Sequence, residues 1–312
     1  GWFNKVQQPQ LLPQQFNKRR LYKLLDWIDE KKIDWYGLSA NPHPEALYWL
    51  YFLHPEKIWW SGLTWNSHPD ALKLLALYPE NIDWQWLSRN SHPEAIKMLQ
   101  QHPEKINWDC LSMNSHPDAL ALMQENPQKI NWHLLSGNSN PDAIRLLRLH
   151  PDKIYWPMLS GNSNPIALQL LKIYPENIDW IELSQNLNAD AIKLLHLNPE
   201  KINWNTLSRN SNPDAIRLLR ANPEKINWHG LSKNPHPDAL QLLQEHPENI
   251  DWFILTMNLH PDAMKLLSLN PENIYWYCLF QNPSIFELDY KGMKESNMEL
   301  KQELMERMFH PK

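Results

Sequence analysis

The chain has 312 residues, 42% apolar and 21% charged, with 17 Trp, 26 Pro and only 7 Gly, a composition that buries a sizeable core and excludes a disordered chain. Thirty Lys and Arg against 35 Asp and Glu leave a net charge of −5, which offers nucleic acid or an anionic membrane no whole-chain attraction. Two cysteines, Cys110 and Cys278, exclude a disulfide framework, and no apolar run reaches the roughly 18 residues that span a bilayer. With no basic-then-apolar leader at the start, a soluble, cytosolic protein is the expectation.

In chain order, residues 1–16, rich in Gln with Pro9 and Pro13, read as a loose tail. Residues 17–32 read as an N-terminal cap helix, because Arg20 to Ile28 resembles a lone second helix of the units that follow. Residues 33–282 are a tandem array. Trp35, Trp60, Trp84, Trp108, Trp132, Trp156, Trp180, Trp204, Trp228, Trp252 and Trp276 follow one another at 25 residues once and at 24 thereafter. Residues 283–312 form a C-terminal cap, with Leu300, Leu304 and Met308 in line on an amphipathic helix from Met293 to Phe309.

The unit beginning at Ile202 stands for the rest. Asn203 caps a first helix of about two turns, partly 3₁₀ in expectation, and Ile202 with Leu207 forms a hydrophobic staple. Ser211-Asn212-Pro213-Asp214 opens a second helix, with either Ser211 or Asn212 as its cap and Pro in the first turn, where its missing N–H costs nothing. Ala215, Ile216, Leu218 and Leu219 share one face, and Asn222-Pro223 ends the helix because the residue before proline disfavours the helical region. Helices this short cannot hide their apolar stripe alone. Stacked neighbours must do it, so the expected fold is all-α, an α-solenoid of ten to eleven two-helix repeats with capped ends and a superhelix on the order of 100 Å long.

Some columns carry polar residues in every unit. His43, His68, His92, His116, His236 and His260 share a position with Asn140, Asn164, Asn188 and Asn212, an alternation that fits hydrogen bonding at a turn and not a metal ladder, since units 8–10 Å apart cannot share one ion. An Asn recurs without exception from Asn41 to Asn282; it reads as a structural residue in the left-handed conformation at the end of the first helix. The Ser before it is expected to bond back into its own helix. Asp142 with Arg145, Asp190 with Lys193 and Asp214 with Arg217 are spaced to pair on solvated surfaces.

The Trp, Asn and Leu-Ser columns carry a resemblance. Leu25-Asp26-Trp27-Ile28, the Lys-Ile-Asn-Trp-x-x-Leu-Ser-x-Asn units and the ending Phe286-Glu287-Leu288-Asp289-Tyr290-Lys291 through Glu303-Leu304-Met305 to His310-Pro311 resemble the tandem-repeat proteins of large DNA viruses of algae and amoebae, over about residues 20–311. A weaker likeness is to the leucine-rich variant repeat, which alternates a 3₁₀ and an α-helix. The resemblance implies a helical repeat array, in the host cytosol or in the virion, and brings no catalytic residue and no activity.

Function must therefore be read from positions that vary while their neighbours do not. The two residues after each Trp and the residue after Leu-Ser fall near 100°, 200° and 140° on the first helix, one arc facing away from the Leu side. That arc holds Tyr36, Trp65, Trp86, Arg89, Leu134, Met158, Arg209, Lys233, Phe253 and Tyr277. A merely soluble surface drifts toward Lys, Glu and Ser, so large apolar residues here point to a partner-binding face. The competing reading is that the neighbouring repeat covers the arc. No Gly-rich phosphate cradle, activated Ser or Cys, or metal-ligand spacing occurs, so the expectation is a monomeric, non-enzymatic scaffold with no cofactor and no metal. Its partner is a protein or extended peptide; the alternatives are one-base-per-repeat RNA binding, disfavoured by the charge, and a purely structural spacer in a virion, and a small-molecule substrate is not expected.

Overall fold

The computed structural model describes residues 21–295, 297 and 298. The expected tail, residues 17–20 of the expected cap helix, and Leu300, Leu304 and Met308 lie outside the described residues. The fold is an all-α solenoid with a 24-residue period. Each repeat has three parts, as in Trp204–Leu207, Pro213–Ala221 and a 3₁₀ turn, Pro223–Lys225. The cap of the first helix is the residue before Trp: Asn203 Oδ1 accepts from Thr206 N at 3.0 Å. The cap of the second is the His/Asn column and not Ser211: Asn212 Oδ1 accepts from Asp214 N at 2.9 Å, and in the histidine copies Nδ1 does so, as His116 from Asp118 N at 3.2 Å. The three surface pairs expected from spacing all form, Lys193–Asp190 at 3.0 Å and the pairs Arg145–Asp142 and Arg217–Asp214.

The single 25-residue spacing has a local solution. In the first repeat the second helix, Pro44–Tyr48, runs on into a π turn, Trp49–Leu53, closed by His54 N to Trp49 O at 3.0 Å, so the extra residue is looped into one wide turn and the register of the next repeat is kept.

The core is a band between two helical layers. The Leu of each first helix is fully buried, as are the Ala and the next apolar residue of the second helices. The Trp column is half-buried. Its open side is covered by the residue ending the second helix, as His150 on Trp132 at 5.0 Å and Tyr174 on Trp156 at 5.3 Å, or by a turn lysine, as Lys201 over Trp180 at 4.7 Å.

The Asn column departs from the left-handed expectation. Asn41, Asn162 and Asn234 are extended (φ −71°, −76° and −71°), and no described residue has a positive φ. What fixes them is the neighbouring backbone. Asn138 donates both amide hydrogens into the preceding repeat, to Ser112 O at 3.0 Å and Asn114 O at 2.9 Å, and its Oδ1 accepts from Asn140 N at 2.9 Å. Ser208 bonds back to Trp204 O as expected, at 2.7 Å, and also accepts from Asn227 N of the following repeat at 2.9 Å. Each interface is thereby stitched by side chains that present no freedom to slide.

Nor do the ends behave as caps. The segment expected to be helical at 20–28 contains a strand, β1 (Tyr22–Leu24), paired antiparallel with β2 (Phe286–Leu288). Leu25 N donates to Ile285 O at 2.9 Å and Asp289 N to Leu21 O at 2.8 Å, and a helix follows from residue 290 through 295. Repeat 11 and repeat 1 then meet as any two neighbours do. Asn41 Nδ2 donates to Phe280 O at 2.9 Å and Asn282 O at 3.1 Å, the same two positions that Asn66 takes on Ser39 and Asn41. Lys32 lies 4.2 Å over Trp276 as Lys225 lies over Trp204. An interface that repeats with the same partners across the chain ends is a pure rotation: the solenoid is a closed ring of eleven repeats, and the expected 100 Å is a circumference. The second helix of repeat 11 is replaced by a 3₁₀ turn, Pro283–Ile285, and the two strands, so the N-terminal segment completes the last repeat.

At most interfaces first helices pack more closely on one another than second helices do. The tighter layer has the shorter circumference, so the first helices line the bore. Eleven helices spaced about 8–10 Å, each about 10–12 Å wide, leave a bore of roughly 20 Å.

Candidate functional site

The variable arc faces this bore, and its three columns behave differently. Among the residues after Trp and after Leu-Ser, Tyr36, Phe253, Trp65, Arg89, Arg209 and Lys233 are exposed and Tyr277 is 57% exposed, whereas Ala40, Met113, Gly137, Gly161 and Met257 are half-buried. The second residue after Trp is the lateral contact. Trp86 stacks on Trp65 of the preceding repeat at 5.4 Å, and Met158 reaches Gly137, where a Cβ would meet its Cε at 2.7 Å. Leu134, like Trp86 and Met158, is half-buried, and Ile254 is buried. Burial by the neighbour, the competing expectation, therefore holds for this column and in part for the residue after Leu-Ser, where Arg209 Cγ lies 3.2 Å from where a Cβ on Gly230 would stand.

Ring closure rearranges the rest. Phe253 and Tyr277 lie near one end of the chain and Tyr36, Trp65 and Trp86 near the other, yet around the ring they are consecutive. Tyr277 stacks on Tyr36 across the seam with centroids 6.0 Å apart. The arc also contains residues from the column before Trp, which caps the first helix where it is Asp or Asn. Where the cap column departs from Asp and Asn, Trp59 stacks on Tyr36 at 3.4 Å, Tyr155 meets His133 at 3.7 Å and Tyr275 meets Phe253 edge-on at 4.9 Å. None of these three makes a side-chain cap bond. The available signal was an aromatic residue at a position whose job is to accept a hydrogen bond. Repeats 10, 11, 1, 2 and 3 thus carry one contiguous aromatic band, whereas repeats 4 to 9 are mixed: Tyr155 and Ile181 are exposed there beside polar pairs such as Asp109 accepting from Asn131 at 2.8 Å, and His229 meets Asp251 at 2.8 Å where repeat 9 adjoins repeat 10.

Beside the aromatic band lies a cavity of about 630 Å³, walled by Phe253, Tyr275, Glu248, Asp251 and Glu272. Here the turn lysine is replaced by Asn249 and Asn273, each donating to its neighbouring glutamate at 3.2 Å. The two thiols are held above their ordinary range, Cys110 and Cys278 both chiefly by burial, which keeps them protonated near neutral pH. Among the described residues no group of three or more His, Cys, Asp or Glu could hold a metal ion, and no helix is long and apolar enough to cross a membrane.

Comparison with protein-family models, with curated proteins and with solved structures finds no match. The face has to be read from its own geometry. Its aromatic rings are anchored by stacking on their neighbours, its backbone is fixed by the Asn and Ser bonds beneath, and it surrounds a space wide enough for a helix or extended chains.

Proposed function

We propose that the ring is a non-enzymatic scaffold that holds a segment of another protein in its bore, with the aromatic band of repeats 10 to 3 as the anchoring surface. The observation that carries this reading is the contiguity of Phe253, Tyr275, Tyr277, Tyr36 and Trp65, each at least 40% exposed. Large rigid aromatics give much contact area for little lost rotamer freedom, and presenting them already in place lowers the ordering cost of binding. A polypeptide suits the band better than nucleic acid, because the net charge is −5 and none of these five residues is a cation that could neutralise a phosphate. Two free cysteines suit a reducing compartment, the cytosol.

The test is recovery of a bound protein by wild type and by a Trp65→Ala/Phe253→Ala/Tyr277→Ala variant, each with and without nuclease. These side chains touch the core little, so the variant should melt within about 1 kcal/mol per site of wild type. The expected result is a protein captured by wild type, lost at least tenfold in the variant and unaffected by nuclease. Capture that ignores the triple change would remove the assignment of this face, and capture abolished by nuclease would remove the partner class.

A further inference from the structure

We propose that the joint between repeats 11 and 1 is an acid-sensitive latch: protonation of His43 opens the ring at the β1–β2 pairing. The inference depends on ring closure and not on what the bore holds. Ten of the eleven interfaces are crossed by the chain itself, so only at the seam can two repeats separate without a covalent tether. The seam also lacks a stitch found elsewhere. Phe280 occupies the Ser/Thr column there, so no hydroxyl receives the next cap amide as Ser208 receives Asn227 N.

His43 sits at this joint. Its Nδ1 accepts Glu45 N at 3.2 Å as the cap of Pro44–Tyr48, which requires the unprotonated nitrogen. Its ring lies between the edge of Tyr22 from β1, 4.6 Å away, and the face of Phe286 from β2, also 4.6 Å away. The ionisable groups around it offer a proton little support. Glu45 on its own helix accepts from Trp49 Nε1 at 3.0 Å, His68 stands in the same column of the next repeat, and at the strands Lys23 is paired with both Asp26, at 2.6 Å, and Glu287, at 3.3 Å. Protonation would break the cap, put charge at the positive end of a helix and hold it between two aromatic rings. Burial first, and then the neighbouring His68, lower the His43 pKa to about 4. Once β1 and β2 part, two of its walls are gone and the pKa rises toward the ordinary 6.5. The closed state favours the neutral ring, so closure is at full strength above about 6.5 and weakens as pH falls toward 4.

The chain supplies its own control, because Asn fills this column in four repeats and caps equally well without titrating, as Asn140 Oδ1 accepts Asp142 N at 2.8 Å. Hydrogen exchange of the full chain, corrected for intrinsic rates, should show protection in residues 21–28 and 285–292 falling between about 10- and 100-fold from pH 6.5 to 4.5, with segments 116–125 and 141–149 unchanged. His43→Asn should abolish the fall. His116→Asn, the same cap far from the seam, should leave it as in wild type and serves as reference if His43→Asn does not fold. Seam protection that is flat with pH, that falls equally in every repeat, or that still falls in a folded His43→Asn protein would overturn the latch.

Discussion

Asn138→Ala should lower the stability of the whole ring by about 3–6 kcal/mol, a large effect for a residue that touches no ligand and fills little space. The side chain is 1% exposed and uses every hydrogen-bonding atom it has, two donors on carbonyls of the preceding repeat and one acceptor for Asn140 N. Alanine leaves three buried backbone groups unpaired in a space too tight for easy solvation, each costing about 1–3 kcal/mol. Thermal and urea unfolding of Asn138→Ala beside Asn138→Asp would check this. Asp keeps the acceptor but loses both donors and sets a carboxylate against two carbonyls, so it should be at least as destabilising as Ala. A loss below about 1 kcal/mol in both would mean that the column does not carry the interfaces.

Removing residues 1–28 should convert the ring into an open arc. The deletion takes away β1, the Leu25–Ile285 bond and the Trp27–Trp276 contact, and leaves repeat 11 without the segment that completes it. The remaining seam contacts, chiefly Asn41 on Phe280 and Asn282, then hold two repeats together without their outer cover. The radius of gyration from small-angle scattering should rise by tens of per cent. Unfolding should become less cooperative, because an open array frays from its ends whereas a ring has none. An unchanged scattering curve would show that β1 is decoration and not closure.

Much of this was legible in the residues. The Trp spacing gives the repeat, Asn203 and Ile202 give the start of the first helix, and Pro213 with Asn222-Pro223 bounds the second. Closure was not legible, because whether a solenoid meets itself depends on a few degrees of rotation per repeat, summed over eleven interfaces, and no single residue type sets that angle. The strand at Tyr22–Leu24 was misread because Leu21, Leu24, Leu25 and Ile28 also fit one face of a helix, and its partner lies more than 260 residues away. The Asn column is structural, as its invariance between repeats implies, but extended rather than left-handed. Two carbonyls of a neighbouring chain segment outcompete the local turn, and they are invisible to any argument confined to one repeat. At the bore the exposed columns followed from counting 100° per residue, whereas lateral packing of Trp86, Leu134 and Met158 depends on how neighbouring helices are offset.

Closure also fixes the copy number. An open solenoid can gain or lose a unit by in-frame duplication or deletion and remain what it was, one unit longer or shorter. Here each interface turns the chain by about 33°, and a twelfth unit would require every interface to relax to about 30° or the two ends to miss each other. The Asn–carbonyl stitches that hold one angle at every joint are therefore also what makes a change of unit number costly, whereas substitutions within a unit, as in the bore columns where residues differ from repeat to repeat, leave that angle alone.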